Sequence, residues 1–158
     1  MTDKLLNQIQ KSARSAAEAT RVQAQLLESF PFLRPREETI ELWAHWSEFY
    51  IGVLDDSVDP DTYDSFCLLP LEELYWRTDW QETGLFGIAS FFIEGIQTEI
   101  CVSTGNDPQL YLLLYGEESH PQVCGKSLGQ ILTEVEAHAQ TLKTYLATLF
   151  DSDGNRQL

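Results

Sequence analysis

The chain has 158 residues, of which 43% are apolar, eighteen are aromatic and 22% are charged; this is one ordinary domain with enough apolar surface for a core and too few charges for wholesale disorder. Its net charge of −15 is unevenly held: residues 1–36 carry six Lys/Arg against three Asp/Glu, and residues 37–158 carry four against twenty-two. A body of that sign repels nucleic acid and anionic membrane and attracts basic surfaces, so a basic protein partner is expected and nucleic-acid or membrane binding is not.

Residues 3–29 read as a helix rich in Ala, Gln, Leu, Glu and Arg. Leu5, Ile9, Ala13, Ala16 and Leu27 give it a thin apolar stripe, and Lys4, Lys11, Arg14 and Arg21 a basic one. Such a helix is marginal alone, so residues 1–30 are expected as a semi-detached N-terminal helix. It should end near Phe30, because Pro31 disfavours helix in the residue before it. Pro31 to Pro35 then reads as a hinge-like connector. Residues 37–54 read as a second helix, with Glu37 and Glu38 at the positive end of its dipole. Ile40, Trp43, Trp46 and Tyr50 recur at helical spacing, with Leu42, Phe49 and Val53 beside them, which makes this the expected core helix.

Residues 55–64 hold five aspartates and a proline and read as a loop. Residues 66–69 suit a short strand, and Pro70 opens a helical turn through Leu74. The runs Phe86–Ile93, Glu99–Ser103 and Gln109–Tyr115 are bounded by Gly84, Gly95, Gly105-Asn106-Asp107-Pro108 and Gly116. Short β-rich runs with such turns predict an antiparallel meander, with a further strand at Val123. Residues 127–150 return to helical spacing, with Ser127 as N-cap and Leu128, Ile131, Leu132, Val135, Leu142, Tyr145, Leu146 and Leu149 as the buried face. The tail from Asp151 is expected to fray. The order predicts a single α+β domain over 1–158: N-terminal helices, a central antiparallel meander and a C-terminal amphipathic helix.

Candidate sites are few. Asp55, Ser57, Asp59 and Asp61 occupy positions 1, 3, 5 and 7 of a possible calcium loop, but Pro60 and Phe66 stand where glycine and the closing glutamate belong. Asp151-Ser152-Asp153-Gly154-Asn155 is a second partial match, with Arg156 at the glycine position. Neither supports a metal site. Asp55, Asp56, Asp59, Asp61 and Asp64 form either a solvated acidic loop or a docking patch for a basic partner. Tyr75, Trp76 and Trp80 are candidate interface anchors, because amphipathic aromatics left partly exposed bind partners. His45, His120 and His138 lack metal-ligand spacing. Cys67, Cys101 and Cys124 form no C-x-x-C pair and read as buried residues of a reducing cytoplasm. Cys101 or Cys124 with His120 is the one imaginable nucleophile pair, weakened by the apolar runs around both thiols. No nucleophile elbow, P-loop or dinucleotide glycine pattern occurs. No stretch approaches the roughly 20 apolar residues of a membrane span, and residues 1–30 contain no apolar run. A cytoplasmic protein without catalytic residues, metal or cofactor is therefore expected.

Three sets of residues carry a family resemblance: Leu69-Pro70-Leu71-Glu72-Glu73-Leu74, the strands around Gly105-Asn106-Asp107-Pro108-Gln109-Leu110-Tyr111-Leu112-Leu113, and Val123 followed by Ser127-Leu128. In this half of the chain the layout resembles the SUKH superfamily, bacterial immunity proteins that bind and neutralise toxins, with relatives in fungal cell-wall regulation. The resemblance implies a non-catalytic binding protein that covers a toxin and has no catalytic residues to transfer. Two other readings stand beside it: an adaptor or chaperone-like protein whose N-terminal helix pairs with a partner or with itself as a homodimer, and an enzyme of unknown type.

Overall fold

A computed structural model describes residues 6–55, 57, 63–69, 84–105, 109–114 and 121–151. Among these, seven strands form one sheet: β1 (Gln8–Ala13), β2 (Trp46–Gly52), β3 (Ser65–Leu68), β4 (Leu85–Ile93), β5 (Ile96–Ser103), β6 (Leu110–Leu114) and β7 (Gln122–Cys124). They lie side by side in chain order, each antiparallel to its neighbours. Between β1 and β2 run α1 (Ala16–Ser29), a 3-10 turn (Pro31–Arg36) and α2 (Glu37–His45). After β7 come α3 (Leu128–Ala137) and α4 (Leu142–Asp151). The class is α+β, with the meander in the middle and helices at both ends of the chain.

Alternation decides which side of the sheet is core. Register pairs Phe66 with Phe91, and Ala89 with Ile100, which pairs in turn with Leu112; these share one face and are all buried. The helices close that face through aromatic rings. Phe91 meets Tyr145 of α4 at 6.3 Å, and Phe86 meets Trp43 of α2 at 6.4 Å and Phe30 at 5.0 Å. Offset and edge contacts of this kind are the favoured aromatic geometries. Between β4 and β5, Glu94 (φ 52°) and Gly95 (φ 80°) make a two-residue turn. Both are left-handed, as a type I′ hairpin demands. Glycine adopts this freely; Glu94 is held there by donating its N–H to Asp64 Oδ1 at 3.0 Å.

Three expected helices are corrected. Residues 3–29 are not one helix: β1 and α1 divide them at Arg14, whose N–H donates to the His45 carbonyl (2.8 Å) and whose guanidinium reaches the Ala44 and Trp46 carbonyls (3.1 and 2.8 Å). The basic stripe is divided with it, since Lys11 lies on the strand and Arg21 on the helix. Nor does this segment stand apart, for Leu26 and Leu27 are buried in the common core. Residues 37–54 turn from α2 into β2 at Trp46. Seven residues from Trp46 to Gly52 favour extended backbone through Trp, Phe, Tyr and Ile, and Ile51 is buried on the sheet and not on a helix face. Residues 127–150 break after Ala137. His138 N–H still bonds Glu134 O (2.9 Å), but Thr141 N–H returns to His138 O (2.9 Å) and the helix restarts. The connector Pro31–Pro35 is a packed 3-10 turn: Leu33 is fully buried, and buried Arg36 donates to the carbonyls of Phe32 and Gly105. Helix α1 does end at Phe30, and Ser127 does cap α3, in a reciprocal capping box with Gln130. Among the described residues no helix is long and apolar enough to cross a membrane.

Candidate functional site

The N-terminal half of α1 and the outer side of α2 enclose a groove of about 720 Å³. Its walls are two helical stripes at i, i+3, i+4, i+7: Ala16, Ala19, Thr20 and Gln23 on α1, and Glu38, Glu41, Leu42 and His45 on α2, with Trp46 at its end. The space exists because α1 packs unevenly. Its C-terminal end buries Leu26 and Leu27, whereas the alanines upstream are too short to bridge to α2. A volume of this size falls in the range of ligand clefts.

The two walls differ in charge. The α1 wall is small and uncharged. The α2 wall carries Glu38 and Glu41, exposed, one turn apart, with no cation partner among the described residues. Like charges at this spacing repel; Glu38 is held near the positive end of the helix dipole. Five of the described cations are paired with other acids: Lys11 with Glu136 (2.8 Å), Arg14 and Arg21 with Glu18 (3.6 and 4.0 Å), Lys126 with Glu134 (2.6 Å) and Lys143 with Glu94 (2.8 Å). Arg36 donates to the carbonyls of Phe32 and Gly105. At the groove's end the His45 ring stands edge-on to Trp46, centroids 4.6 Å apart. The Trp46 indole N–H is buried without an acceptor.

The aspartate loop is only partly within the described residues. Asp55 is exposed and accepts the N–H and hydroxyl of Ser57 (2.9 and 2.6 Å); the hydroxyl, more than the amide, holds its carboxyl below the usual value. Asp64 is half-buried and is engaged with the Glu94 amide at the β4–β5 turn. Asp56, Asp59, Asp61, Tyr75, Trp76 and Trp80 lie outside the described residues, as does His120, so of the predicted set only Asp55 and Asp64 are described. The groove residues were not among those singled out.

Two other polar clusters are internally matched. Glu134 Oε1 on α3 accepts Lys126 Nζ (2.6 Å) and the Tyr145 hydroxyl (2.8 Å), and the His138 ring stacks on Tyr145 at 5.4 Å. Burial first, then the Glu134 bond, push the Tyr145 phenol far above its usual value, which leaves it a donor and not a base. On the sheet face away from the helices, Gln97 Nε2 donates to buried Ser90 Oγ (3.1 Å) and lies 3.5 Å from buried Glu99. Nearby on that face Tyr50 pairs with Cys67; burial, then Cys67, raises the Tyr50 phenol. Cys67, Cys101 and Cys124 form no disulfide, and the last two are buried. Among the described residues no three His, Cys, Asp or Glu side chains converge as a metal site would require. No protein-family model, curated protein or solved structure matches the chain.

Proposed function

We propose that this chain is a non-catalytic, acidic binding protein that receives a basic segment of a partner protein in the α1–α2 groove. One observation carries the reading: Glu38 and Glu41 stand uncompensated on one wall of a cleft whose other wall is small and uncharged. A Lys or Arg between them relieves their repulsion and gains two charge-assisted bonds. The chain's −15 charge steers such a partner and adds rate at low salt, while it repels nucleic acid and anionic membrane. An immunity or inhibitor role, in which the covered surface is the basic working face of a toxin, is the form of this reading that the SUKH resemblance favours. The adaptor reading was motivated by the thin apolar stripe of an N-terminal helix that is marginal alone; the burial of Leu26 and Leu27 by α1 counts against it.

The test has two steps. Low-salt affinity capture supplies the basic partner, which is then titrated calorimetrically against the wild type and Glu38→Lys/Glu41→Lys. The expected result is weakening by at least about tenfold on charge reversal and weaker binding at physiological salt. Equal affinity for both proteins, or affinity indifferent to salt, overturns the assignment.

A further inference from the structure

We propose that the free edge of β1 pairs antiparallel with β1 of a second copy, joining two seven-stranded sheets across a two-fold axis. β1 ends the sheet, and among the described residues no strand lies beyond it. All six of its residues are exposed. Natural sheets guard such edges with proline, outward lysine or a very short strand. The other edge, β7, is three residues long. β1 has no proline. Its one lysine, Lys11, pairs in register with Phe49 on the helix face and is bound to Glu136 at 2.8 Å, so it does not guard the rim.

Three of the four large apolar residues most exposed on the described surface lie at this end of the sheet: Ile9 (41%) on the helix face with Lys11, and Leu6 (63%) and Leu54 (42%) toward the other face. The β1–β2 register sets Gln8 opposite Gly52; continued two residues, it sets Leu6 opposite Leu54. The edge is also held in place before any partner arrives. The Gln140 side chain accepts from the Asn7 amide (2.9 Å) and donates to its carbonyl (2.8 Å), while Asn7 Nδ2 donates to Ala139 O (2.7 Å). A strand fixed this way loses little entropy on pairing.

A second copy fits the edge because antiparallel pairing of identical strands is its own two-fold operation. It also fits in charge. Apart from Lys11, matched by Glu136, residues 6–13 carry no charge, so the contact itself is neutral. Only the distant bodies repel, at −15 each, and salt screens that repulsion. Salt therefore strengthens this self-association, whereas it weakens the basic-partner complex, and the two proposals fail separately.

The experiment is sedimentation velocity of the full chain across a concentration series at low and physiological salt, with Ile9→Lys and Ile96→Lys beside the wild type. Ile96 is the fourth exposed apolar residue and sits at the β4–β5 turn. The expected result is a weak dimer that grows with concentration and salt, is lost in Ile9→Lys and survives in Ile96→Lys. Hydrogen exchange of the wild type should slow at residues 8–12 as concentration rises. A monomer under all conditions, a dimer untouched by Ile9→Lys, or β1 amides indifferent to concentration each overturns the proposal.

Discussion

Removing one oxygen, in Tyr145→Phe, reports on how the two C-terminal helices are held together. Glu134 on α3 accepts from Lys126 (2.6 Å) and from the Tyr145 hydroxyl on α4 (2.8 Å). These bonds, Lys126 first and Tyr145 second, hold its carboxyl below the ordinary value. A carboxyl lowered on folding adds stability above its unfolded value, and that stability is lost as pH falls through the folded value. The window thus opens below about pH 4.5. About a third of the Glu134 side chain meets water, and screening leaves the Lys126 pair worth about 0.5 kcal/mol. Tyr145 is buried, and its bond to a charged acceptor is worth about 1.5 kcal/mol. Tyr145→Phe should therefore cost about 1.5 kcal/mol near neutral pH. The cost should fall as pH drops through the lowered folded value of Glu134, because the protonated carboxyl is the poorer acceptor. Urea unfolding followed by tryptophan fluorescence along an acid pH series gives the differences. A cost that stays constant down to the acid end of the series refutes the assigned role of the carboxylate.

The capping box and the two tryptophans of the α2 region supply further checks. Ser127→Ala removes the side-chain acceptor for the Gln130 amide and should cost about 1 kcal/mol in chemical denaturation. Trp43 and Trp46 look alike in sequence but not in place. Trp43 is buried and donates to Leu69 O at 3.2 Å, so Trp43→Phe should cost about 3 kcal/mol from the void and the orphaned carbonyl. Trp46 already lacks an acceptor, and Trp46→Phe should cost less than about 1 kcal/mol by the same unfolding assay.

The strands from β3 to β7 were legible because glycine and Asn-Asp-Pro turns punctuate runs of β-branched and aromatic residues. The Phe30 boundary and the Ser127 cap were legible for an equally local reason, proline chemistry in one case and a hydroxyl before an apolar run in the other. β1 was not legible. Gln8-Ile9-Gln10-Lys11-Ser12-Ala13 has helical propensity, and what makes it a strand is β2 together with Gln140, which lies 133 residues away. The α2–β2 junction was hidden because Trp43, Trp46 and Tyr50 satisfy helical spacing across a change of backbone. The signal that could have found it is the stretch from Trp46 to Val53, which contains no strong helix former except Glu48. The α3–α4 break was hidden because Val135 and Leu142 are seven residues apart, and Ala139 between them is also buried. The apolar face stays in phase through the break, and only Thr141, whose carbonyl accepts the Tyr145 amide at 3.0 Å, hints at a new start.

The groove was missed for a different reason. Asp55 to Asp64 draws attention by density, yet Asp64 is engaged at a backbone turn. Glu38 and Glu41 are two of the three acids on α2, and a sequence does not say which carboxylates will find cations. That depends on where Lys11, Arg14, Arg21, Lys126 and Lys143 end up, and each is matched to an acid other than Glu38 or Glu41. What could have been read is the pair of stripes: 16, 19, 20 and 23 with small or neutral side chains, and 38, 41, 42 and 45 with two acids, a leucine and a histidine. Two helical faces with the same spacing, one short and one charged, leave space between them when they pack. Net charge alone favours no particular place on the surface; the packing of short side chains against uncompensated acids is what puts the proposed cation site in the α1–α2 groove.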